Sequence, residues 1–140
     1  MSAGSGIRHS EFNSSREAPV RFLQIWIPPA TRGIEPSYEQ RHFDEASRRG
    51  TLRLVASPDG SEGSVLIHQD ARLYAGLLDG AETASLTLNK GRYAWVQVVR
   101  GVVSVNGQRM VEGDGLAVAE VEVLSLSGGE DAELLVFDLP

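Results

Sequence analysis

The sequence contains no cysteine, and this absence excludes several classes of protein. Without cysteine there is no disulfide framework, no thiolate metal site and no cysteine nucleophile. No apolar run approaches the roughly 20 residues that a membrane-spanning helix needs. Residues 1–6 lack the apolar segment of a secretory signal. We therefore expect a cytoplasmic protein that has no membrane partner.

Positive charge is also scarce, since 13 Lys and Arg stand against 19 Asp and Glu and give a formal net charge of −6. Nucleic-acid binding requires a basic surface that neutralises phosphates, so the composition argues against a nucleic-acid partner. The densest basic spot, Arg48-Arg49, precedes a glycine and is interpreted as a solvated turn. The 140 residues, 41% of them hydrophobic, suffice for one domain with its own core.

Short apolar runs separated by turn residues dominate the chain from Leu52 to its end. Fifteen glycines accompany them, which is typical of strands joined by tight turns. Asn106-Gly107 indicates a hairpin most strongly, because both residue types accept positive φ. We predict roughly eight strands of an antiparallel sandwich or barrel. The apolar runs lie at 52–56, 65–67, 71–75, 85–89, 93–99, 102–105, 108–111, 116–118, 121–126 and 134–139.

The first 50 residues show a different pattern. Phe22–Ile27 predicts a strand that is apolar on both faces, and such a strand needs cover on both faces. Pro28–Pro36 predicts an extended crossing segment, because residues before proline avoid the α region. Pro36–Arg49 is short and polar, and predicts one helical turn or an irregular linker. An uncovered apolar strand is an aggregation hazard, so we expect a homodimer or another partner to cover Phe22–Ile27.

Three stretches of the sequence carry a family resemblance. They are Gly6–Asn13, Phe22–Pro28 followed by Pro36-Ser37-Tyr38, and Ser57–Gly60 together with Ile67–Tyr74. With these motifs the chain resembles the C-terminal part of the pirin family of bicupins, which includes quercetin 2,3-dioxygenase-like members. The resemblance implies an all-β fold, a cupin-type antiparallel β-sandwich or jelly-roll barrel with an extended N-terminal strand and linker.

The resemblance also implies a domain organisation. Residues 1–20 would be a remnant of the second motif of an N-terminal cupin, 21–50 a strand plus a proline-rich crossing linker, and 51–140 the C-terminal cupin barrel. In the family, the N-terminal cupin holds one iron-type metal through three histidines and a glutamate. His9 and Glu11 match the histidine and glutamate of its second motif. The other two histidines would lie in the first motif, before residue 1, so the implied site is incomplete.

Several other side chains are expected to be structural rather than catalytic. His42 lies in the polar linker and His68 is placed on a strand, and we interpret both as surface or hydrogen-bonded histidines. Tyr93 and Trp95 share a strand face and are assigned to the core or to an interface. One face of the third predicted strand is apolar through Ala71, Leu73, Ala75 and Leu77. A solvated acidic face is expected from Glu120, Glu122, Glu130, Asp131 and Glu133.

The C-terminal unit keeps the frame of the cupin motifs without their ligands. Gly113-Asp114-Gly115, interpreted as a turn, aligns with the second motif and puts Val118 at its histidine position. Gly101 as the closing glycine of the first motif puts Ala94 at its glutamate position. Neither alanine nor valine coordinates a metal. We therefore expect no metal within 51–140, and no phosphate-loop or serine-hydrolase motif assigns a catalytic or cofactor-binding residue.

Three functions remain open at this point. The first is a metal-free, non-catalytic C-terminal cupin that acts as a structural, dimerisation or binding module. The second is a quercetin 2,3-dioxygenase-type enzyme whose mononuclear metal site, with His9 and Glu11, is completed in an assembly. The third is a transcriptional co-regulator that acts through protein contacts.

Overall fold

Alternating apolar residues from Leu52 onward form eight strands in the computed structural model, which describes residues 1–140. The one α-helix, α1, spans Glu45–Arg48, and Ser61–Gly63 forms a short 3₁₀ turn. The eight strands are β1 (Leu52–Ser57), β2 (Val65–Leu66), β3 (Arg72–Leu78), β4 (Ala84–Thr87), β5 (Tyr93–Val105), β6 (Gln108–Val111), β7 (Gly115–Val118) and β8 (Val123–Leu139). The predicted all-β cupin fold is confirmed, and so is the single helical turn in the linker.

The strands form one sheet in the order β2-β1-β3-β8-β5-β6, with β4 added to β8 and β7 added to β5. Every pairing is antiparallel except that between β1 and β2. The long strands β5 and β8 pair with each other along most of their length and bend, so the sheet folds onto itself. Fourteen buried residues fill the space between its layers: Leu78, Leu88, Ala94, Val96, Val98, Val103, Val105, Met110, Val118, Leu124, Leu126, Ala132, Leu134 and Val136.

Two predicted strand breaks are wrong. The runs 93–99 and 102–105 belong to one strand, β5. The runs 121–126 and 134–139, apart from residues 121 and 122, belong to β8. The pairing register between them shifts at Gly101, which has φ +73. A Cβ at this glycine would overlap the backbone carbonyl oxygens of Glu130 and Asp131. Gly101 therefore allows a bulge that bends the strand without ending it.

The predicted strand at Phe22–Ile27 is also wrong. These residues are extended but pair with no other strand, and the side chains of Phe22, Leu23 and Trp26 are exposed. A strand needs hydrogen-bond partners for its backbone, and the described chain offers none to this segment. His68 is likewise placed in a bend after β2 and not on a strand.

The linker before β1 covers part of the outer face of the sheet. α1, capped by Asp44 Oδ1 accepting from Ser47 N at 2.8 Å, packs on β3 and β1. The Arg53 guanidinium lies 5.7 Å from the centre of the Phe43 ring, and Arg48 Nη1 donates to Glu133 Oε1 at 3.0 Å. The shared apolar face of the third strand is buried, and α1 packs on the strand that carries it. The residues of that face are Ala71, Leu73, Ala75 and Leu77, all at most 9% exposed.

No helix in the structure is long and apolar enough to cross a membrane.

Candidate metal centre and N-terminal arm

The aligned ligand positions of the C-terminal cupin meet inside the barrel. Ala94 on β5 is the direct register partner of Val118 on β7, so both side chains lie on the same inner face. Ala94 is 2% exposed and Val118 is 8% exposed, and both belong to the buried core. The pairing places the two positions side by side, as a shared ligand site would require. Their side chains offer only aliphatic carbon, so this rung of the barrel does not fit a metal ion.

A buried carboxylate, that of Asp138, lies in the same row of register-paired residues as Val118 and Ala94. Asp138 on β8 pairs in register with Ala94 and, on its other side, with Arg72 of β3. Asp138 is 5% exposed and bonds to the Arg92 guanidinium, which also donates from Nη1 to both oxygens of Asp70 at 3.0 and 3.1 Å. Arg92 therefore cross-links the start of β3, the start of β5 and the end of β8. Arg92 therefore holds Oδ1 of the Asp138 carboxylate.

Two side chains at this network have shifted pKa values, Arg92 and Tyr74. Burial disfavours the charged Arg92 side chain, but its hydrogen bonds to Asp138 and Asp70 outweigh burial and raise its pKa. Burial also raises the pKa of Tyr74, and the negative charge of Asp138 adds to that effect. Sequence reasoning missed this network because Arg92 and Asp138 are 46 residues apart. One indication existed: Asp138 continues the inward-facing series of Leu134 and Val136.

His9 and Glu11 lie together outside the barrel. His9 Nε2 is 3.7 Å from Glu11 Oε1, and their side chains are 42% and 52% exposed. Nowhere in the chain do three or more histidine or carboxylate side chains converge in a way that could hold a metal ion. The resemblance implies four ligands for the family site, and His9 and Glu11 would provide two of them. The residues of this chain alone therefore do not fit the complete metal centre.

The remaining predicted side chains lie mainly at the surface. His42 and His68 are exposed and distant from any ligand set. Tyr93 is 52% exposed and Trp95 is 40% exposed, so their assignment to the core is wrong. The alternative assignment of these two side chains to an interface stays a prediction. Of the acidic residues, Glu120, Glu122, Glu130 and Asp131 are exposed, whereas Glu133 is half-buried and paired with Arg48. Gly113-Asp114-Gly115 lies at the turn before β7, where Asp114 Oδ2 accepts from Val111 N at 2.9 Å.

The predicted strand and the His9–Glu11 pair belong to one protruding loop, residues 7–27, which we call the N-terminal arm. Its base is hydrogen bonded on both sides. Ser2 and Ser37 exchange two backbone hydrogen bonds, and Ser5 N donates to Ile34 O at 3.0 Å. On the returning side, Ala30 N donates to His68 O at 2.8 Å. The arm is therefore fixed to the barrel at its base.

Away from its base the arm makes few contacts. Its tip is a turn in which Asn13 Nδ2 donates to Ala18 O at 2.7 Å and Ser15 N donates to Asn13 Oδ1 at 3.0 Å. No backbone hydrogen bond joins its two limbs, 7–12 and 19–27. Seven large apolar side chains of the arm are 39% or more exposed: Ile7, Phe12, Val20, Phe22, Leu23, Ile25 and Trp26. The rest of the chain leaves these side chains largely uncovered.

Comparisons with known families agree with this division of the chain. The quercetinase C-terminal cupin domain family matches residues 54–139, and the pirin family matches residues 1–27. The first match covers most of the barrel, and the second covers the arm together with residues 1–6 that precede it.

Individual relatives match the whole chain or most of it. Quercetin 2,3-dioxygenase of Escherichia coli (strain K12) is 44% identical over 140 residues, which are 100% of this chain and 59% of the relative. The crystal structure of YhhW from Escherichia coli superposes with a TM-score of 0.76 at 41% identity, covering 82% of this chain and 48% of YhhW. The nickel(II) complex of bacterial pirin YhhW gives a TM-score of 0.73 at 40% identity, covering 80% of this chain and 47% of that structure. The chain thus spans about 59% of the length of the first curated relative.

Proposed function

The chain belongs to the pirin family through a quercetinase-type C-terminal cupin domain, and on that premise we propose that its barrel is a metal-free, non-catalytic module. In this role the barrel is a rigid support that carries the N-terminal arm to a partner. The partner is a second copy of the chain or a protein that carries the first cupin motif.

The packing of Ala94 against Val118 carries this proposal. At the two positions where a cupin presents a glutamate and a histidine to an ion, this barrel presents a methyl and an isopropyl group in register. The carboxylate of Asp138, the register partner of Ala94 on β8, is already held by Arg92. The inner face therefore gains its stability from apolar packing and one ion pair, without requiring an ion.

Metal analysis of the purified chain tests the absence of a barrel site. The chain is incubated with iron(II), nickel(II), copper(II) and manganese(II) in turn, desalted and assayed for bound metal. We expect less than about a tenth of an equivalent to remain, because tight retention requires three or four converging ligands. The His9→Ala/Glu11→Ala double variant is the control. A stoichiometric metal that this variant still retains would place a site inside the barrel and contradict the proposal.

A second function is favoured by the 3.7 Å approach of His9 and Glu11. In this alternative the arm contributes these two ligands to a metal site that a partner completes, and the assembly is an enzyme of the quercetin 2,3-dioxygenase type. The name of the Escherichia coli relative and the nickel(II) bound to bacterial pirin YhhW support it. His9 and Glu11 would bind the metal, and the metal would supply the oxygen chemistry.

Activity of the chain alone and with its partner separates the two functions. The decrease in quercetin absorbance is followed with nickel(II) or iron(II), first with the isolated chain and then with a protein carrying the first cupin motif. Metal-dependent activity that appears only in the mixture and is lost in Glu11→Ala would support the enzymatic alternative. A mixture that binds but does not turn over quercetin would support the structural module.

A further inference from the structure

The hairpin that joins β5 to β6 contains the one Asn-Gly pair of the sequence. Asparagine occurs at three positions, Asn13, Asn89 and Asn106, and only Asn106 precedes a glycine. Asn106 and Gly107 both have positive φ, +47 and +83, as the tight turn between the two strands requires. Both residues are exposed, so the turn is accessible to water and to base.

The side chain of Asn106 ties this turn to β8. Its Oδ1 accepts from Ser125 N at 2.7 Å, and Asn106 N donates to Ser125 O at 2.9 Å. The neighbouring pair along the two strands is Val105 and Leu126. The side-chain oxygen thus replaces a backbone carbonyl at the point where β5 turns away from β8. An N–H held against Oδ1 also stabilises negative charge that develops on this oxygen.

Gly107 places an unshielded nitrogen next to the side-chain amide. Its N–H donates to no acceptor of the protein, and a Cβ at this glycine would have no atom within 4 Å. A glycine carries no side chain that would block approach to its nitrogen. Base can therefore remove the proton of this N–H, and the nitrogen that results is a nucleophile adjacent in sequence to Cγ of Asn106.

We propose that Asn106 is a site of self-modification, at which the chain releases ammonia and converts asparagine to aspartate and isoaspartate. The Gly107 nitrogen gives up its proton and bonds to Cγ of Asn106, while charge develops on Oδ1 against Ser125 N. The Cγ–Nδ2 bond then breaks, and Nδ2 takes up a proton and leaves as ammonia. The product is a five-membered cyclic imide.

Water opens this imide at either of its two carbonyl carbons. Addition at Cγ breaks the new bond to nitrogen and gives aspartate with the normal main chain. Addition at the main-chain carbonyl carbon of residue 106 breaks the original peptide bond and gives isoaspartate, in which the main chain runs through Cγ. Either route consumes one water and releases one ammonia, and nothing is oxidised or reduced.

The two products differ in their effect on the fold. Aspartate keeps a carboxylate oxygen at the place of Oδ1, where it accepts from Ser125 N as the amide does. Isoaspartate lengthens the main chain of the turn by one carbon and makes Cγ part of it, which disturbs the register between β5 and β6. That register pairs Val103 with Met110, which are 0% and 2% exposed. Formation of isoaspartate therefore loosens the hairpin from the barrel.

Peptide mapping by mass spectrometry, after incubation of the folded chain in mildly alkaline buffer, tests the proposal. We expect Asn106 to deamidate at least about tenfold faster than Asn13 and Asn89, because both of these precede a residue with a side chain. Gly107→Ala should slow deamidation at position 106 by a similar factor. An Asn106 that stays intact until Asn13 or Asn89 converts would overturn the proposal.

Two features of the design keep this test decisive. The comparison of the three asparagines is made within wild type, so it does not depend on the folding of Gly107→Ala, which circular dichroism checks. Mapping resolves each position, because an aspartate before a glycine also forms isoaspartate, although without releasing ammonia. Such aspartates are Asp59, Asp79 and Asp114.

Thermal melts of the two products test the structural consequence. Asn106→Asp should keep the thermal midpoint of fresh wild type, since a carboxylate oxygen still accepts from Ser125 N. The isoaspartate form, separated chromatographically from aged wild type, should melt at a lower temperature than both. Equal midpoints of the isoaspartate form and Asn106→Asp would contradict the role of the Asn106 turn in holding the hairpin.

Discussion

The barrel and the N-terminal arm use similar amino acids with opposite results. Tyr93–Val99 in β5 and Phe22–Ile27 in the arm are both rich in aromatic and branched residues, which favour strands. The first segment has strands on both sides and buries Val96 and Val98 almost completely. The second has no neighbouring strand, and its side chains remain largely exposed. Strand formation here depends on a hydrogen-bond partner more than on residue preference.

The same comparison explains how much of the structure the sequence predicts. Alternation from Leu52 onward predicts the strands of the barrel correctly, because each has one buried face and a neighbour within the chain. Alternation also places a strand at Phe22–Ile27, where it is wrong, because a local pattern does not reveal whether a partner exists. The breaks within β5 and β8 are predicted wrongly for a related reason, because a glycine in the sequence is compatible with a turn and with a bulge.

The sequence likewise predicts only part of the candidate site. Ala94 and Val118 are predicted from motif spacing, and the structure places them side by side in the core. The Arg92–Asp138 pair could not be predicted, because only tertiary folding brings together residues 46 positions apart. His9 and Glu11 are two positions apart in the sequence, and the structure places their side chains 3.7 Å apart.

The largest expected contrast is between truncating a buried leucine in the barrel and truncating an exposed leucine in the arm. Leu134 is 0% exposed, and Leu134→Ala should lower the free energy of unfolding by about 2–5 kcal/mol through lost burial and a new cavity. Leu23 is 50% exposed, and Leu23→Ala should change the free energy of unfolding of the monomer by less than about 0.5 kcal/mol. Urea unfolding at a low protein concentration measures both. Equal effects would mean that the arm is part of the folded core.

The next contrast compares a buried ion pair with an exposed one. Arg92→Met leaves the carboxylate of Asp138 buried without its partner, and we expect a loss of about 3 kcal/mol. Arg100→Met removes the pair with Asp131, whose two side chains are 47% and 76% exposed, and should cost less than about 1 kcal/mol. Chemical denaturation at neutral pH compares the two. A small effect of Arg92→Met would show that water or another group compensates Asp138.

A third contrast separates close packing from backbone conformation. Gly101 and Gly113 both have positive φ, +73 and +90, but only Gly101 has backbone atoms in the position that a Cβ would take. Alanine should cost about 1 kcal/mol at Gly113 from conformation alone, and at least about 2 kcal/mol at Gly101 because the bulge must also shift. Thermal unfolding measures both, and a similar cost at the two positions would show that the bulge yields easily.

The smallest expected effect depends on pH and concerns a turn of the barrel. Hydrogen bonds from Ser61 and Ser57 lower the pKa of Asp59 from 3.8 to about 2. The ionised form is therefore favoured in the folded state. Its stabilising contribution is complete above pH 3.8 and is lost as the pH falls through about 2.

Asp59→Asn removes this contribution. The difference in stability between wild type and this variant should therefore shrink as the pH falls between those values. Thermal melts from pH 2 to pH 6 test the trend. Asn13→Asp, at the turn in the tip of the arm, is the control, and it should leave the stability of the barrel unchanged over this range. A constant difference between wild type and Asp59→Asn would show that Asp59 does not titrate as described.

Urea unfolding of the chain with and without nickel(II) tests the central claim most directly. Unfolding is followed by tryptophan fluorescence in wild type and in the His9→Ala/Glu11→Ala variant, with a chelator as the reference. Because Ala94 and Val118 offer no ligand, we predict that nickel(II) leaves the midpoint of the variant unchanged. A saturable increase in the midpoint of this variant would mean that the barrel itself holds a metal, and would contradict the account.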